Sequence, residues 1–225
     1  MYAPAKQEQL DAFELGSKYT AFGGYAQING AVYYYLYKDK QLLGSFPDPL
    51  FGQLPVLQNA PEARVYGAEF DITAEPLEGL SIVASGAYVD TEIREYEGTD
   101  ELGNEVDFAG RPFNYAPKFE TSLLLHYVHG LTHTLNFVLG ADYNWTDDTN
   151  ATLAGLPDFR IPEYSLVNAR IGLESADGRW KAGLWGRNLT DTFIVNNVIN
   201  PGDDISRRTG MPRTYGLSLA YFWNR

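Results

Sequence analysis

Apolar and polar residues alternate along most of the chain. Between residues 134 and 145 one set of alternate positions is apolar throughout, and the other is mostly polar or small. Successive side chains of a β-strand point to opposite faces, so this pattern predicts a strand with one apolar face. The last stretch, 212–224, repeats the pattern with large residues at Tyr215, Leu217, Leu219, Tyr221 and Trp223.

The same alternation predicts nine strands bounded by turn residues. They span 11–20, 25–38, 63–75, 79–93, 118–128, 132–146, 163–175, 179–192 and 212–224. Short turns at 21–24, 76–79, 129–131 and 176–178 alternate with long polar connections at 39–62, 94–117, 147–162 and 193–211. An antiparallel meander places successive connections at opposite ends, so we expect short turns at one end and long loops at the other. Bacterial outer-membrane barrels have this asymmetry, with short periplasmic turns and longer extracellular loops.

The predicted strands are long enough to cross a membrane. Most have about 10–15 residues, whereas strands of soluble proteins average roughly 5–6, and about 9–11 residues span a bilayer. Aromatic residues also gather near the predicted strand ends, as in the aromatic girdles of barrels. They include Tyr33 to Tyr37, Tyr143 and Trp145, and Tyr221 and Trp223. The apolar face is therefore expected to meet lipid, because hydrocarbon offers no hydrogen bonds to polar side chains.

Composition narrows the class of protein. The 225 residues carry a formal net charge of −12, which argues against nucleic acid as a partner, since phosphate binding needs clustered Lys and Arg. The chain has no cysteine, so neither a disulfide framework nor a thiolate metal site is expected. It has no run of 18 apolar residues, but the alternating faces of barrel strands give only a weak hydropathy signal. A mean hydropathy of −0.28 is therefore compatible with a membrane barrel.

Several motifs resemble those of one family, in that family's order. The stretches LVNARIGLES, GRWKAGLWGRNLTD and PRTYGLSLAYFW are similar to the last strands of TonB-dependent outer-membrane receptors. Upstream, FELGSKYTAFGGYAQINGAVYYYLYKDKQ resembles an earlier hairpin of the family, and ARVYGAEFDITAEPLEGLSI resembles the strand and turn that follow it. The resemblance extends from about residue 10 to residue 223.

This resemblance implies an all-β antiparallel transmembrane barrel of roughly 22 strands around an N-terminal plug. With about nine strands, residues 1–225 are expected to form one partial β-barrel domain, the C-terminal segment of a larger barrel, with 1–10 as an extended leader. The chain is also expected to lack the plug, the TonB box and a signal peptide, because the MYAPAKQEQL start has neither a basic nor an apolar region. Nine strands alone leave two unpaired edges, which lipid does not tolerate.

The resemblance also implies location and partners. The chain is expected in the outer membrane of a Gram-negative bacterium, in contact with outer-membrane lipid and lipopolysaccharide. Its polypeptide partners would be the remaining barrel strands and the plug, and through the plug the TonB complex. No cofactor, no catalysis and no nucleic acid are expected. The function implied is uptake of a siderophore, another metal chelate or another nutrient.

Candidate functional residues lie on strands and in loops. Polar residues at inward strand positions are predicted to face the barrel lumen: Glu69, Asp71, Asn168, Arg170 and Glu174. Loop residues that mix Arg with aromatic rings suit an anionic chelate, because Arg offers paired donors to carboxylate and catecholate oxygens. They are Arg111, Asn114, Tyr115, Phe159, Arg160, Arg207 and Arg208. Tyr221 and Trp223 are the terminal aromatics that, by resemblance, guide barrel assembly.

Other chemistry is less well supported. His126, His129 and His133 flank one short turn, but a metal site needs convergent ligands, and we expect none. Acidic loop clusters occur at 100–107, 147–148 and 203–204 without an EF-hand spacing, so we expect solvated loops, with cation-bridged contact to lipopolysaccharide as the alternative. The sequence lacks G-x-S-x-G, P-loop, H-E-x-x-H and dinucleotide-binding motifs.

Two other interpretations remain open from the residues. One is a small self-standing outer-membrane barrel of about 8–10 strands, acting as a pore or an adhesin. The other is a soluble all-β binding module such as a jelly roll or lectin, which would have shorter strands and polar outer faces. The soluble module requires the apolar stripe to pack against a second layer of the same chain.

Overall fold

The computed structural model describes residues 4–48, 50, 52–200 and 204–223. Its β-strands are β1 Gln9–Ala21, β2 Ala26–Asp48, β3 Gly52–Leu77, β4 Leu80–Glu95, β5 Glu97–Thr99, β6 Glu105–Asp107, β7 Phe119–Thr132, β8 Leu135–Thr146, β9 Thr149–Asn150, β10 Arg160–Ile161, β11 Tyr164–Ser175, β12 Trp180–Arg187, β13 Val195–Ile199, β14 Ser206–Thr209 and β15 Thr214–Tyr221. Short 3-10 helices occur at Phe22–Gly24 and Pro157–Phe159. In these residues no helix has the length and apolarity needed to span a membrane.

Nine of the strands form one antiparallel sheet. Its order is β1-β2-β3-β4-β7-β8-β11-β12-β15, so each strand pairs with its neighbours in the chain. The predicted nine-stranded meander is therefore confirmed. The sheet is open: within the described residues, β1 and β15 each pair on one side only.

The segment 39–62 was predicted as a long loop, and that prediction is wrong. β2 and β3 continue through it as a paired ribbon, in register from Lys40 opposite Ala60 to Asp48 opposite Gly52. Neither β1 nor β4 pairs with this part of the ribbon. A two-stranded ribbon tolerates proline, because an N–H that would point away from the partner strand makes no hydrogen bond in the sheet. The ribbon contains Pro47, Pro55 and Pro61, and the prediction took 39–62 for a polar connection.

Three boundaries also differ from the predictions. β7 runs on through the predicted turn at 129–131, and the turn lies at His133 and Thr134. A register shift between Gly130 and Thr132 lets the strand continue past the glycine. β12 ends at Arg187 rather than at 192, and β15 ends at Tyr221, so Trp223 lies beyond the last strand.

The pairing register separates the sheet into an apolar face and a polar face. Opposite residues share a face, so the apolar set is continuous from strand to strand, for example Leu125, Ala141, Ala169 and Gly186. Large apolar side chains on this face are exposed, such as Leu15 at 74% and Leu217 at 63%. No second layer of the described chain covers them. The soluble-module interpretation, which needs such a layer, is therefore disfavoured.

Aromatic rings form a row along the loop end of the apolar face. Phe13 lies opposite Tyr34 and Tyr34 opposite Tyr66, and the Tyr88 ring lies 6.3 Å from Tyr66 and 4.9 Å from Phe119. Tyr33, Tyr35 and Tyr37 lie on the polar face instead, so the expected girdle takes only Tyr34 from that run.

The aromatic row marks one border of the apolar band, and a pair of rings near the turn end marks the other. On β7, Tyr127 stacks on His129 near the turn end, eight residues from Phe119. At about 3.3 Å per residue, Phe119 and Tyr127 are about 26 Å apart along the strand. At a strand tilt of about 40° this is about 20 Å along the barrel axis, somewhat less than the roughly 25 Å apolar band of outer-membrane barrels.

Just beyond the row, ion pairs cross the same face. They join Lys38 to Asp11, Arg64 to Glu92, Arg94 to Glu62 and Lys118 to Asp90 at 2.5–3.6 Å.

The apolar clusters lie mainly in the loops, with some members from the ribbon and from β4. Three small hairpins, β5–β6, β9–β10 and β13–β14, stand in the long connections. We call 96–118, 147–163, 188–200 and 204–213 together the loop cap. One apolar cluster of the cap also includes ribbon and strand residues, and its buried members are Leu42, Ala60, Ile93, Tyr96, Phe108, Leu153 and Ala154. A second contains Ala151, Phe159, Ile161, Val195 and Val198.

Candidate functional site

Hydrogen bonds link the strands across the polar face. The Asn29 amide donates to both carboxylate oxygens of Asp71, at 2.8 and 3.0 Å. The Ser85 and Ser122 hydroxyls are 2.7 Å apart. The Asn168 amide donates to Asp142 Oδ2 at 2.6 Å. These pairs are side chains of adjacent strands, so the polar face stabilises the sheet as well as lining its hollows.

All five residues predicted to face the lumen lie on this polar face. Glu69 and Asp71 are on β3, and Asn168, Arg170 and Glu174 are on β11. Glu174 forms an ion pair with Lys181 on β12, with Lys181 Nζ 2.7 Å from Glu174 Oε2. Their contact with a plug or substrate stays a prediction.

The predicted ligand-binding residues gather in the loop cap, and several of them hold the cap together. Arg111 Nη1 donates to the Ala154 carbonyl at 2.8 Å, and Arg207 Nη2 donates to the Asp158 carbonyl at 2.8 Å. Asn114 donates to the Ala151 carbonyl at 3.3 Å. These bonds cross from one loop to the next.

The remaining loop candidates differ in exposure. Arg160 Nε lies 2.9 Å from Asp148 Oδ2 on the surface, and the Tyr115 hydroxyl donates to Asn197 Oδ1. Arg208 is exposed. Phe159 is 2% exposed and packs inside the second apolar cluster. Ligand contact by these residues stays a prediction, and the enclosed ring of Phe159 gives it first a packing role.

Asn188 is a buried polar residue to which the sequence analysis gave no role in the site. It is 3% exposed, and its amide nitrogen donates to the carbonyls of Thr192 and Met211 at 2.9 and 3.1 Å. Its side-chain oxygen accepts from the Thr192 N–H at 2.9 Å, and its own N–H donates to Asn168 Oδ1 at 2.8 Å. Asn188 therefore closes the base of the loop between β12 and β15.

The backbone conformation at position 188 explains why the residue there is an asparagine. Its φ is +49°, and among residues with a Cβ, Asn adopts this left-handed conformation most readily. The sequence signal was available in the NLTD stretch that follows the strand, since Asn and Asp favour turns. The prediction instead extended the strand through this stretch.

The acidic cluster at 100–107 contains two carboxyl groups with opposite surroundings. Asp100 is buried and accepts from the Leu102 and Asn104 N–H groups at 2.9 and 2.8 Å. Glu101 has a buried Oε2 without a hydrogen-bond partner in the described structure. Burial raises the pKa of the Glu101 carboxyl above its ordinary value. Asp203, in another predicted cluster, lies outside the described residues.

Replacing Glu101 with glutamine is expected to stabilise the loop cap at neutral pH. A raised pKa means that the folded state holds the proton more tightly than the unfolded state, so stability is lost as the pH rises above about 4.5. E101Q removes that loss, so it should raise the unfolding temperature at pH 7.5 and have little effect near pH 4. Thermal unfolding in detergent micelles, followed by near-ultraviolet circular dichroism, measures this difference. The exposed neighbour variant E105Q is the control, and an E101Q effect equal at both pH values would contradict the prediction.

The three histidines do not converge. His126 lies on the polar face opposite Gly140, whereas His129 lies on the apolar face opposite Phe137. Across the part of the chain that the structure describes, no group of three or more His, Cys, Asp or Glu residues is arranged to hold a metal ion.

Comparison with known proteins shows which family model matches the chain and which solved structures have a similar fold. The family model described as TonB dependent receptor-like, beta-barrel, matches residues 1–189. The ferric yersiniabactin uptake receptor FyuA from Yersinia pestis superposes with a TM-score of 0.76 at 18% identity, over 93% of this chain and 29% of its own. The siderophore receptor PiuA from Acinetobacter baumannii gives 0.73 at 18% identity, over 94% and 28%. The ferric-catecholate import receptor Fiu from E. coli K12 gives 0.68 at 17% identity, over 95% and 27%.

These similarities cover only part of each receptor. The chain spans less than a third of each of the three receptors it resembles. At these identities the superpositions establish the fold, an antiparallel sheet like part of a receptor barrel. The family match covers most of the chain, from its first residue into the turn after β12. The chain therefore belongs to the TonB-dependent receptor-like β-barrel family.

Proposed function

We propose that this chain forms nine strands of the barrel wall of an outer-membrane receptor that takes up a metal chelate, and that these are the C-terminal strands. The observation that carries the proposal is the exposed apolar face of a single-layer sheet, bordered by the aromatic row. Such a face is stable against lipid and costly against water. The structural neighbours named as a ferric yersiniabactin uptake receptor and as a siderophore receptor support the substrate class.

The open sheet edges imply partners. Within the described part of the chain, β1 and β15 each have one edge without a paired strand, and such edges need further strands inside a membrane. The remaining strands of the receptor barrel supply this pairing, and its plug fills the lumen beside the polar face. These open edges disfavour a self-standing pore. Energy reaches the receptor through the plug from the TonB complex, and the wall strands perform no chemical step.

Lipid is the partner of the apolar face. The ion pairs beyond the aromatic row lie at headgroup level, where Lys38, Arg64, Arg94 and Lys118 can meet phosphate groups of lipopolysaccharide. Their partner carboxylates can meet the same headgroups through divalent cations.

Uptake in cells tests the function. A strain lacking the gene that encodes this chain is expected to accumulate several-fold less radioactive iron from at least one ferric chelate, and the intact gene should restore uptake. Outer-membrane fractionation should recover the protein only with detergent. Recovery in the soluble fraction, or unchanged uptake of iron, copper and other nutrient chelates, would reject the proposal.

A further inference from the structure

A hollow of about 760 Å³ lies on the apolar face of the sheet and crosses five strands, from β1 to β7. Its floor consists of small residues on three neighbouring strands, Ser17, Gly30 and Ala68. Ser17 is directly opposite Gly30, and Ala68 is directly opposite Val32, which lies two residues from Gly30 on the same face. Leu15 and Val32 border the floor on the side of the loops. We call this hollow the apolar groove.

The position of the Phe70 ring keeps the floor of the apolar groove open. Phe70 is directly opposite Gly30, but its ring lies over Gly86 of β4, where an added Cβ would be 2.6 Å from Phe70 Cε1. A Cβ added at Gly30 would meet only the carbonyl oxygen of Glu69, at 3.6 Å, among the described residues that are not its chain neighbours. The space above Gly30 is therefore open to the medium that covers the apolar face.

The other end of the apolar groove meets the aromatic row. Tyr88 and Phe119, whose rings are 4.9 Å apart, line that end. On β1 the row is at Phe13, four residues from Ser17, so the floor at β1 lies about 13 Å along the strand below the row at about 3.3 Å per residue. The groove therefore slopes from the aromatic row at β7 into the apolar band at β1, across four strand spacings of about 4.8 Å, or about 19 Å.

A cationic side chain stands at the upper end of the apolar groove. Lys118 precedes Phe119, and Lys118 Nζ is 2.9 Å from Asp90 Oδ2. The Tyr88 hydroxyl donates to the same carboxylate oxygen at 3.5 Å. The Lys118 ammonium has three N–H donors, and its side chain is 55% exposed, so donors remain for a phosphate at headgroup level. The groove thus joins a phosphate-binding group to the interior of the apolar band.

We propose that the apolar groove holds one acyl chain of a lipopolysaccharide molecule, with a phosphate of the same molecule at Lys118. The groove is continuous with the apolar face and lies at its loop end, which in outer-membrane barrels is the extracellular end. This inference rests on the proposed function, which places lipid against the apolar face, and it assigns one fixed lipid site to that face.

The shape of the apolar groove explains why a chain would stay there. A chain on a flat part of the face touches protein on one side only, whereas a chain in the groove also touches the side chains of Leu15, Val32 and Phe70. Each additional contact adds a small dispersion attraction, and the attractions sum along the chain. The lipid in the groove should therefore exchange more slowly than its neighbours.

Filling the apolar groove with a leucine side chain tests the proposal. The complete receptor is purified from outer membranes in mild detergent, and native mass spectrometry counts the lipopolysaccharide that it retains. The unmodified receptor should retain one more lipopolysaccharide than G30L or A68L. After removal of lipid, the unmodified receptor should bind lipid A saturably, and K118Q, or lipid A without its phosphates, should show binding about tenfold weaker. Heat-modifiable migration on gels checks that every variant is folded.

A141L is the matched control, because Ala141 lies on the apolar face of β8 outside the groove, and it should retain lipopolysaccharide like the unmodified receptor. Equal retention by the unmodified receptor, G30L and A68L would overturn the proposal, as would a phospholipid or a second protein retained in place of lipopolysaccharide. Equal retention in a receptor that fractionates with the outer membrane and restores uptake overturns the groove alone. Recovery in the soluble fraction rejects the proposed function itself.

Discussion

Arginine in place of Leu123 is expected to block insertion of the chain into lipid bilayers, whereas arginine in place of its neighbour Leu124 is tolerated. Both are leucines of β7 with nearly equal exposure, 44% and 48%. Leu123 lies on the apolar face between Ala84 and Tyr143, and Leu124 lies on the polar face opposite Asp142. A charge on the lipid face near the bilayer midplane costs about 2–4 kcal/mol, while a lumen-facing charge costs little.

Folding into lipid vesicles measures this contrast. The complete receptor carrying L123R should show a folded fraction reduced by more than tenfold, read as heat-modifiable migration on gels and as protection from protease. L124R should match the unmodified protein. If both variants fold equally well, or both fail, the two faces meet the same medium, and the lipid-facing assignment is wrong.

Alanine in place of Asn188 is expected to release the loop between β12 and β15 from the strands below it. The carbonyls of Thr192 and Met211 and the N–H of Thr192 lose their partner in a buried position, at about 1–3 kcal/mol for the unsatisfied groups. Alanine also adopts the left-handed backbone at a cost of about 1 kcal/mol. The loss should appear as faster amide hydrogen exchange at Thr192 and faster proteolysis within 188–213.

Two variants make the Asn188 experiment specific. Asn196 is an exposed asparagine in the same loop, so N196A should leave exchange and proteolysis unchanged. N188D keeps the acceptor for the Thr192 N–H but sets a buried carboxylate oxygen against the Thr192 and Met211 carbonyls, so at neutral pH its effect should be at least as large as that of N188A. Slow exchange at Thr192 in N188A would mean that the cap is held by its apolar clusters alone.

The main sheet was predictable because its determinants are local. Alternation with period two fixes which residues share a face, and the turn residues fix where the meander reverses, so Leu135 to Trp145 were assigned correctly. The β2–β3 ribbon was not predictable in the same way. The stretch 39–62 is read as a polar connection, and whether it pairs as a ribbon depends on contacts that no local pattern indicates.

The loop cap shows where such prediction ends. Phe159 was proposed as a ligand contact because aromatic residues in polar loops suit binding, yet its ring packs against Val195 and Val198 from a distant loop. Short hairpins such as β9–β10 have too few residues for a period to be recognised. Asn188 bonds to Met211, which precedes the last strand, and Trp185 lies over Gly216 on that strand. No pattern in the residues next to Asn188 or Trp185 indicates these contacts.

The shared packing of the cap also limits how such receptors can be recombined. Arg111 of one loop is bound to Ala154 of the next, and Tyr115 to Asn197 of a third. A chimaera that imports a single foreign loop would cut these bonds and expose the apolar clusters. An exchange between homologous chains should therefore move the three loops together.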